Sequence, residues 1–168
     1  MALSIAAMPG DDASAPPDAG PLPPASAHGA VLAFDFGLRR IGVAVGDLSL
    51  RIAHPLETID SREEAVRFAR IAALVGEWRP VRVVVGLPET GDGGEHALAP
   101  AVRAFRAELE RRFMIPTACV NERYTSANAE GMLRDAGVRG RAQKQYLDQV
   151  AATTILDDYF ANHDDTDA

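Results

Sequence analysis

The chain is predicted to fold as an α/β domain with a mixed five-stranded sheet flanked by helices, and three features predict it. Two apolar segments, Val31–Phe36 and Arg40–Gly46, are separated by a short glycine-containing link, the spacing of a β-hairpin. A third extended segment, Ile52–Ile59, continues the meander. Beyond it, the strand-like runs Val81–Gly86 and Ile115–Val120 each follow a stretch of helical periodicity, so two helical crossovers join them to the meander and pack helices on the sheet.

Taken in order, residues 1–27 are Ala, Pro, Gly, Ser and Asp with few large apolar side chains, a composition that cannot offset the entropy of ordering and is read as a disordered tail. The folded domain is expected over 28–160, and 161–168 form an acidic tail. After the meander, Ala65, Phe68, Ala69, Ala72, Ala73 and Val75 recur at helical spacing, with Ser61 and Glu64 placed as a capping box and Pro80 as the stop. The strand Val81–Gly86 runs into Leu87-Pro88 and the loop Glu89–Gly94. A helix from about Glu95 to Arg112 follows, its inward face carrying Leu98, Val102, Phe105 and Leu109. Two more helices, about Ser126–Asp135 and Ala142–Phe160, flank a glycine-rich, basic connection at Ala136–Arg141.

Composition narrows the function classes. The net charge is -7, yet six of the 24 acidic residues lie in the two tails, which hold no Lys or Arg, leaving 18 acids against 17 bases in the body. A nucleic-acid partner is therefore compatible with the domain. The single cysteine, Cys119, has no intrachain partner, which excludes an internal disulfide framework and suits a reducing cytosol. No apolar run approaches the roughly 20 residues needed to span a bilayer, so a cytoplasmic protein without a membrane partner is expected.

Three acids stand out. Asp35 interrupts the apolar strand Val31–Phe36 and is followed by Gly37-Leu38-Arg39-Arg40. A buried, unpaired carboxylate costs several kcal/mol, so Asp35 should be neutralised, hydrogen-bonded or metal-bound; capping of the following turn is the simpler account. Glu122 comes just past the strand Ile115–Val120, at the end where open α/β sheets tend to bind ligands; a solvated loop acid or a partner of Arg123 is its alternative. Asp148 shares a helical face with Ala151, Ala152, Ile155 and Tyr159, whereas Asp157 points away. The Ala151-Ala152 pair would let this helix approach the sheet closely. Three converging carboxylates repel one another and need protons or hard cations, and carboxylate ligands with spare water positions suit Mg²⁺ or Mn²⁺. Around them lie Arg39, Arg40, Arg123, Arg139, Arg141 and Lys144, glycine loops and a helix start at Thr125-Ser126, the parts of a phosphate-backbone site.

Four segments, FDFGLRRIGVAVGD, VVVGLPETGDGG, NERYTS and LDQVAATTILDDYF, occur in the order and spacing of the YqgF/RuvX family of pre-16S rRNA nucleases, which resemble Holliday-junction resolvases. The resemblance covers about Val31 to Phe160. It implies an RNase H-like fold and a metal-dependent nuclease, a hydrolase of phosphodiester bonds acting in 5′-end maturation of 16S rRNA. By motif, it assigns Asp35, Glu122 and Asp148 as catalytic and metal-ligating acids. It matches Gly37, Arg40 and Gly42 to the hairpin signature, Gly86 and Pro88 to the middle loop, and Arg123 and Thr125 to the segment after Glu122. Gly37 and Gly86 are read as phosphate-loop glycines. One departure stands out: the family usually has Asp-Glu-Arg where this chain has Asn121-Glu122-Arg123, so a metal site using the first of those acids would be weakened.

The expected chemistry is hydrolysis by metal-activated water, with no His or Ser nucleophile, and His28, His54, His96 and His163 receive no role. Expected partners are pre-rRNA, with branched DNA the alternative, and a ribosome precursor; the protein would be a monomer or homodimer. A resolvase acting on four-way DNA junctions shares the chemistry, a non-catalytic RNA-binding assembly factor does not, and an actin-like phosphotransferase would need a longer chain.

Overall fold

The computed structural model describes residues 29–90, 92, 94, 96–122 and 140–162. Its elements follow in the order β1 (Ala30–Phe36), β2 (Arg40–Asp47), β3 (Ile52–Asp60), α1 (Glu64–Trp78), β4 (Arg82–Pro88), α2 (Ala99–Phe113), β5 (Thr117–Glu122) and α3 (Gly140–Asn162). The five strands form one sheet ordered β3-β2-β1-β4-β5. β1, β2 and β3 pair antiparallel, while β4 joins β1 and β5 joins β4 in parallel, so the sheet is mixed. β3 is an edge strand, where Pro55, which has no N–H to donate, is tolerated beside a register shift against β2.

Alternation along the strands sorts the core into two layers. Leu32, Phe34, Val43, Val83 and Val85 face α1 and α2, where they bury Phe68, Ile71, Leu74, Val102, Phe105 and Leu109. Val31, Ala33, Ala44, Val84 and Val120 face α3, against Ala152, Ile155, Leu156, Tyr159 and Phe160. The α3 layer is paved with small residues, and that brings the helix backbone down onto the sheet.

Several boundaries differ from expectation. α1 starts at Glu64 without a side-chain cap, because the Ser61 hydroxyl accepts the Glu63 N–H at 3.1 Å in a local turn that precedes the helix; the expected capping box does not form. α2 starts at Ala99, about one turn late, since the His96 ring Nδ1 takes the Leu98 N–H at 3.0 Å and the His96 carbonyl takes that of Ala99, holding the chain in a turn until Pro100 opens the helix. β5 extends to Glu122, which is thus the last strand residue. α3 absorbs Gly140 and Arg141 and runs to Asn162. The expected helix at Ser126–Asp135 and the connection before Gly140 lie outside the described residues.

Candidate nuclease site

The register of the sheet and the face of α3 bring the three acids to one end of the α3 layer. Asp35 follows Val31 and Ala33 in the alternation of β1, so its side chain shares their face, and Gly42 is its partner across the hairpin. A Cβ on Gly42 would overlap the main-chain carbonyl of Asp148; the missing side chain is what lets α3 sit on β2 and carry Asp148 to the strand ends. The small residue that matters for this approach is on the sheet, while of the Ala151-Ala152 pair only Ala152 is buried. On the other side, Glu122 shares the parity of Val120 and folds back over Gly86, whose vacant Cβ position is filled by the Glu122 carboxyl and the Ile155 side chain. Gly86 lies inside β4 and makes room for an acid. Gly37 serves the hairpin turn: a Cβ there would press on the Arg40 carbonyl, and its own carbonyl accepts a hydrogen bond from Arg67.

The carboxyls of Asp35 and Glu122 lie close enough for each to act on the protonation of the other. Burial, then the charges of Glu122 and Asp148, hold the Asp35 pKa well above its ordinary value. Burial also raises Glu122, opposed by the neighbouring Asp35 carboxyl and by His96. One Glu122 oxygen, Oε1, is buried with no hydrogen-bond partner. Asp148 is raised by burial and restrained by Arg40, whose Nε donates to Asp148 Oδ2 at 2.7 Å. With Asp148 turned to Arg40, no three His, Cys, Asp or Glu side chains among the described residues stand close enough to hold a metal ion.

The donor set nevertheless fits a hard divalent cation. Two partly buried carboxyls stand side by side, one of their oxygens is orphaned, and a third carboxylate lies beside them on an arginine; a cation would relieve the repulsion between the carboxyls and satisfy the orphan. Asn121, where the family acid is missing, is exposed and by alternation points to the opposite face of β5, away from Asp35 and Asp148. Its replacement leaves the acid pair intact.

Beside the acids lies a cleft of about 320 Å³ lined by Arg39, Arg40, Asp60, Gly140, Arg141 and Lys144. Four of the cations expected at a phosphate site meet here, brought together by the β1–β2 hairpin and the first turns of α3. Asp60 tethers two of them, with Arg141 Nη2 at 2.8 Å and Arg39 Nε at 3.6 Å, and the hydrogen bond from Arg141, then the charges of Arg141 and Arg39, lower its pKa. Arg123, Thr125 and Arg139 lie outside the described residues. Two residues near the site carried no sequence signal. His96 supports the Glu122 anion from a loop without ligand spacing, and Asp60 only shows its role once β3 is paired beside β2.

The family model described as "RuvX: Holliday junction resolvase" matches residues 29–162. The chain belongs to this family. Relatives named "Putative pre-16S rRNA nuclease" include one from Methylobacillus flagellatus, 53% identical over 140 residues covering 83% of this chain and 96% of the relative. Another, from Chromobacterium violaceum, is 55% identical over 130 residues, 77% of this chain and 95% of its own. Among solved structures, "T. thermophilus RuvC in complex with Holliday junction substrate" superposes with a TM-score of 0.50 at 17% identity, covering 80% of this chain and 94% of that one. That likeness identifies the fold as RNase H-like. The reaction class common to the RuvX family and these relatives is nuclease chemistry, the hydrolysis of a phosphodiester bond, and RuvX membership makes this chain a hydrolase of that class.

Proposed function

We propose that this nuclease trims the 5′ end of pre-16S rRNA in the cytoplasm, using Mg²⁺ or Mn²⁺ held by Asp35, Glu122 and Asp148. The observation that carries the reading is the Asp35–Glu122 carboxyl pair with its orphaned oxygen, set at the carboxyl ends of β1 and β5 beside a cleft of arginines. A bound divalent ion would supply water activation and charge neutralisation.

The chain's own residues supply the rest. Arg39, Arg40, Arg141 and Lys144 attract the strand through its phosphates, which carry no sequence information. Arg40 stands between two anions. A phosphate entering the cleft competes with Asp148 for its guanidinium, and Asp148 is thereby released towards Asp35 and Glu122. Asp60 acts as a stand-in anion that keeps Arg39 and Arg141 gathered until phosphate arrives. The pre-16S substrate is favoured by the curated names of relatives that match over most of their own length.

The test is cleavage by the full chain of a 5′-extended 16S transcript and of a synthetic four-way DNA junction, each with Mg²⁺, Mn²⁺ or EDTA. The expected result is metal-dependent shortening of the RNA with the junction spared. Cutting of the junction with the RNA intact would make the protein a resolvase; binding of RNA without cleavage in any metal would make it an assembly factor.

A further inference from the structure

On the opposite face of the sheet, a second cavity of about 480 Å³ opens between the hairpin, α1 and α2, lined among others by Phe36, Leu38, Arg67, Phe68, Ala104 and Phe105. We propose that it binds one unpaired nucleobase of the substrate strand, an inference that rests on the reading of the substrate as nucleic acid.

Four observations converge. The wall is aromatic: Phe105 lies 4.9 Å from Phe36 and 5.8 Å from Phe68, centroid to centroid, and the small Ala101 and Ala104 of α2 leave the space beside them open. Arg67 is buried, with 7% of its surface exposed; its guanidinium lies 4.9 Å above the Phe36 ring, and its Nε has no hydrogen-bond partner. A buried donor without an acceptor is costly, and the ring nitrogen or carbonyl of a base is an acceptor of the right kind on a flat, stackable body. The rim is charge-paired. Glu64 and Glu108 line the cavity and engage Arg112 at 3.5 and 2.5 Å, Glu108 also pairs with Arg111, and Arg62 lies beside them, so these carboxylates do not stand as unpaired anions against an approaching strand. Finally, the hairpin joins the two cavities: Phe36 and Leu38 line this one, while Arg39 and Arg40 line the cationic cleft. A strand crossing the hairpin tip keeps its backbone in the cleft and tucks one base into the pocket, and Leu38, 68% exposed at the crossing point, gives it an apolar surface to pass over.

The test measures binding of single-stranded RNA to the full chain by fluorescence anisotropy in EDTA, comparing an intact oligonucleotide with a series abasic at one position each. Proteins compared are the natural chain, Ala104→Trp and Ala101→Leu; both substitutions fill the pocket from α2, and Ala104 is exposed, so its replacement spares the core. Loss of one base should weaken binding to the natural chain roughly five- to hundredfold at one position. The filled variants should bind intact RNA about that weakly, lose little more with the abasic strand, and keep the same salt slope. A uniform penalty at every abasic position, an undiminished penalty in both filled variants, or no RNA binding by the natural chain overturns the pocket. An abasic signature without any RNA cleavage in the nuclease assay strikes the nuclease reading alone.

Discussion

The surroundings of Asp35 favour its protonated form, and that has a measurable consequence. Its pKa in the folded chain stands well above the ordinary 3.8, first through burial and then through Glu122 and Asp148. The folded protein therefore keeps a proton that the unfolded chain releases. The stability linked to that proton is complete below about pH 3.8 and is lost as pH rises through the folded value. In EDTA, the melting temperature of the natural chain should fall across that range, whereas Asp35→Asn should melt with a shallower pH slope and be the more stable protein at neutral pH. Thermal melts from pH 4 to pH 8 check this, and coincident slopes would mean that Asp35 titrates as an ordinary carboxylate. Divalent metal should reverse the order at neutral pH, raising the melting temperature of the natural chain more than that of Asp35→Asn, because only the former offers both carboxylates.

At the scale of elements, the close seat of α3 on β2 places Asp148, and Gly42 is its most sensitive point. A methyl group there meets the Asp148 main-chain carbonyl, which cannot swing aside as a flexible side chain would. Gly42→Ala should cost about 1–3 kcal/mol, lower the melting temperature by several degrees and reduce cleavage more than RNA binding. Unchanged stability would show that α3 has slack. The hairpin, the succession of strands and helices along the chain and the face of α3 were legible because alternation and helical periodicity mark them directly: Val31 and Ala33 on one side, Leu32 and Phe34 on the other, and Asp148 in line with Ala152, Ile155 and Tyr159. What escaped were choices between competing local hydrogen bonds. Ser61 looks like a cap by spacing but spends its hydroxyl on Glu63, and the start of α2 waits on a turn organised by His96. Gly86 reads as a loop glycine in sequence, and only the parallel pairing of β4 with β5 shows that Glu122 lies across it. The role of Arg40 as a partner of Asp148, 108 residues away, has no local signal at all.

Across the whole molecule, the sheet divides the work. Its α3 face gathers the acids and, at the hairpin, the cations of the cleft; its other face holds the aromatic pocket; the β1–β2 hairpin passes between them. No helix among the described residues is long and apolar enough to cross a membrane. If the three acids form one metal-dependent hydrolytic centre, the direct measurement is the cleavage rate of Asp35→Asn on the 5′-extended 16S transcript in Mn²⁺, with its fold checked by circular dichroism and its RNA affinity measured alongside. A variant that folds and binds RNA as the natural chain does but no longer cleaves is the predicted result, and cleavage at the natural rate would contradict it.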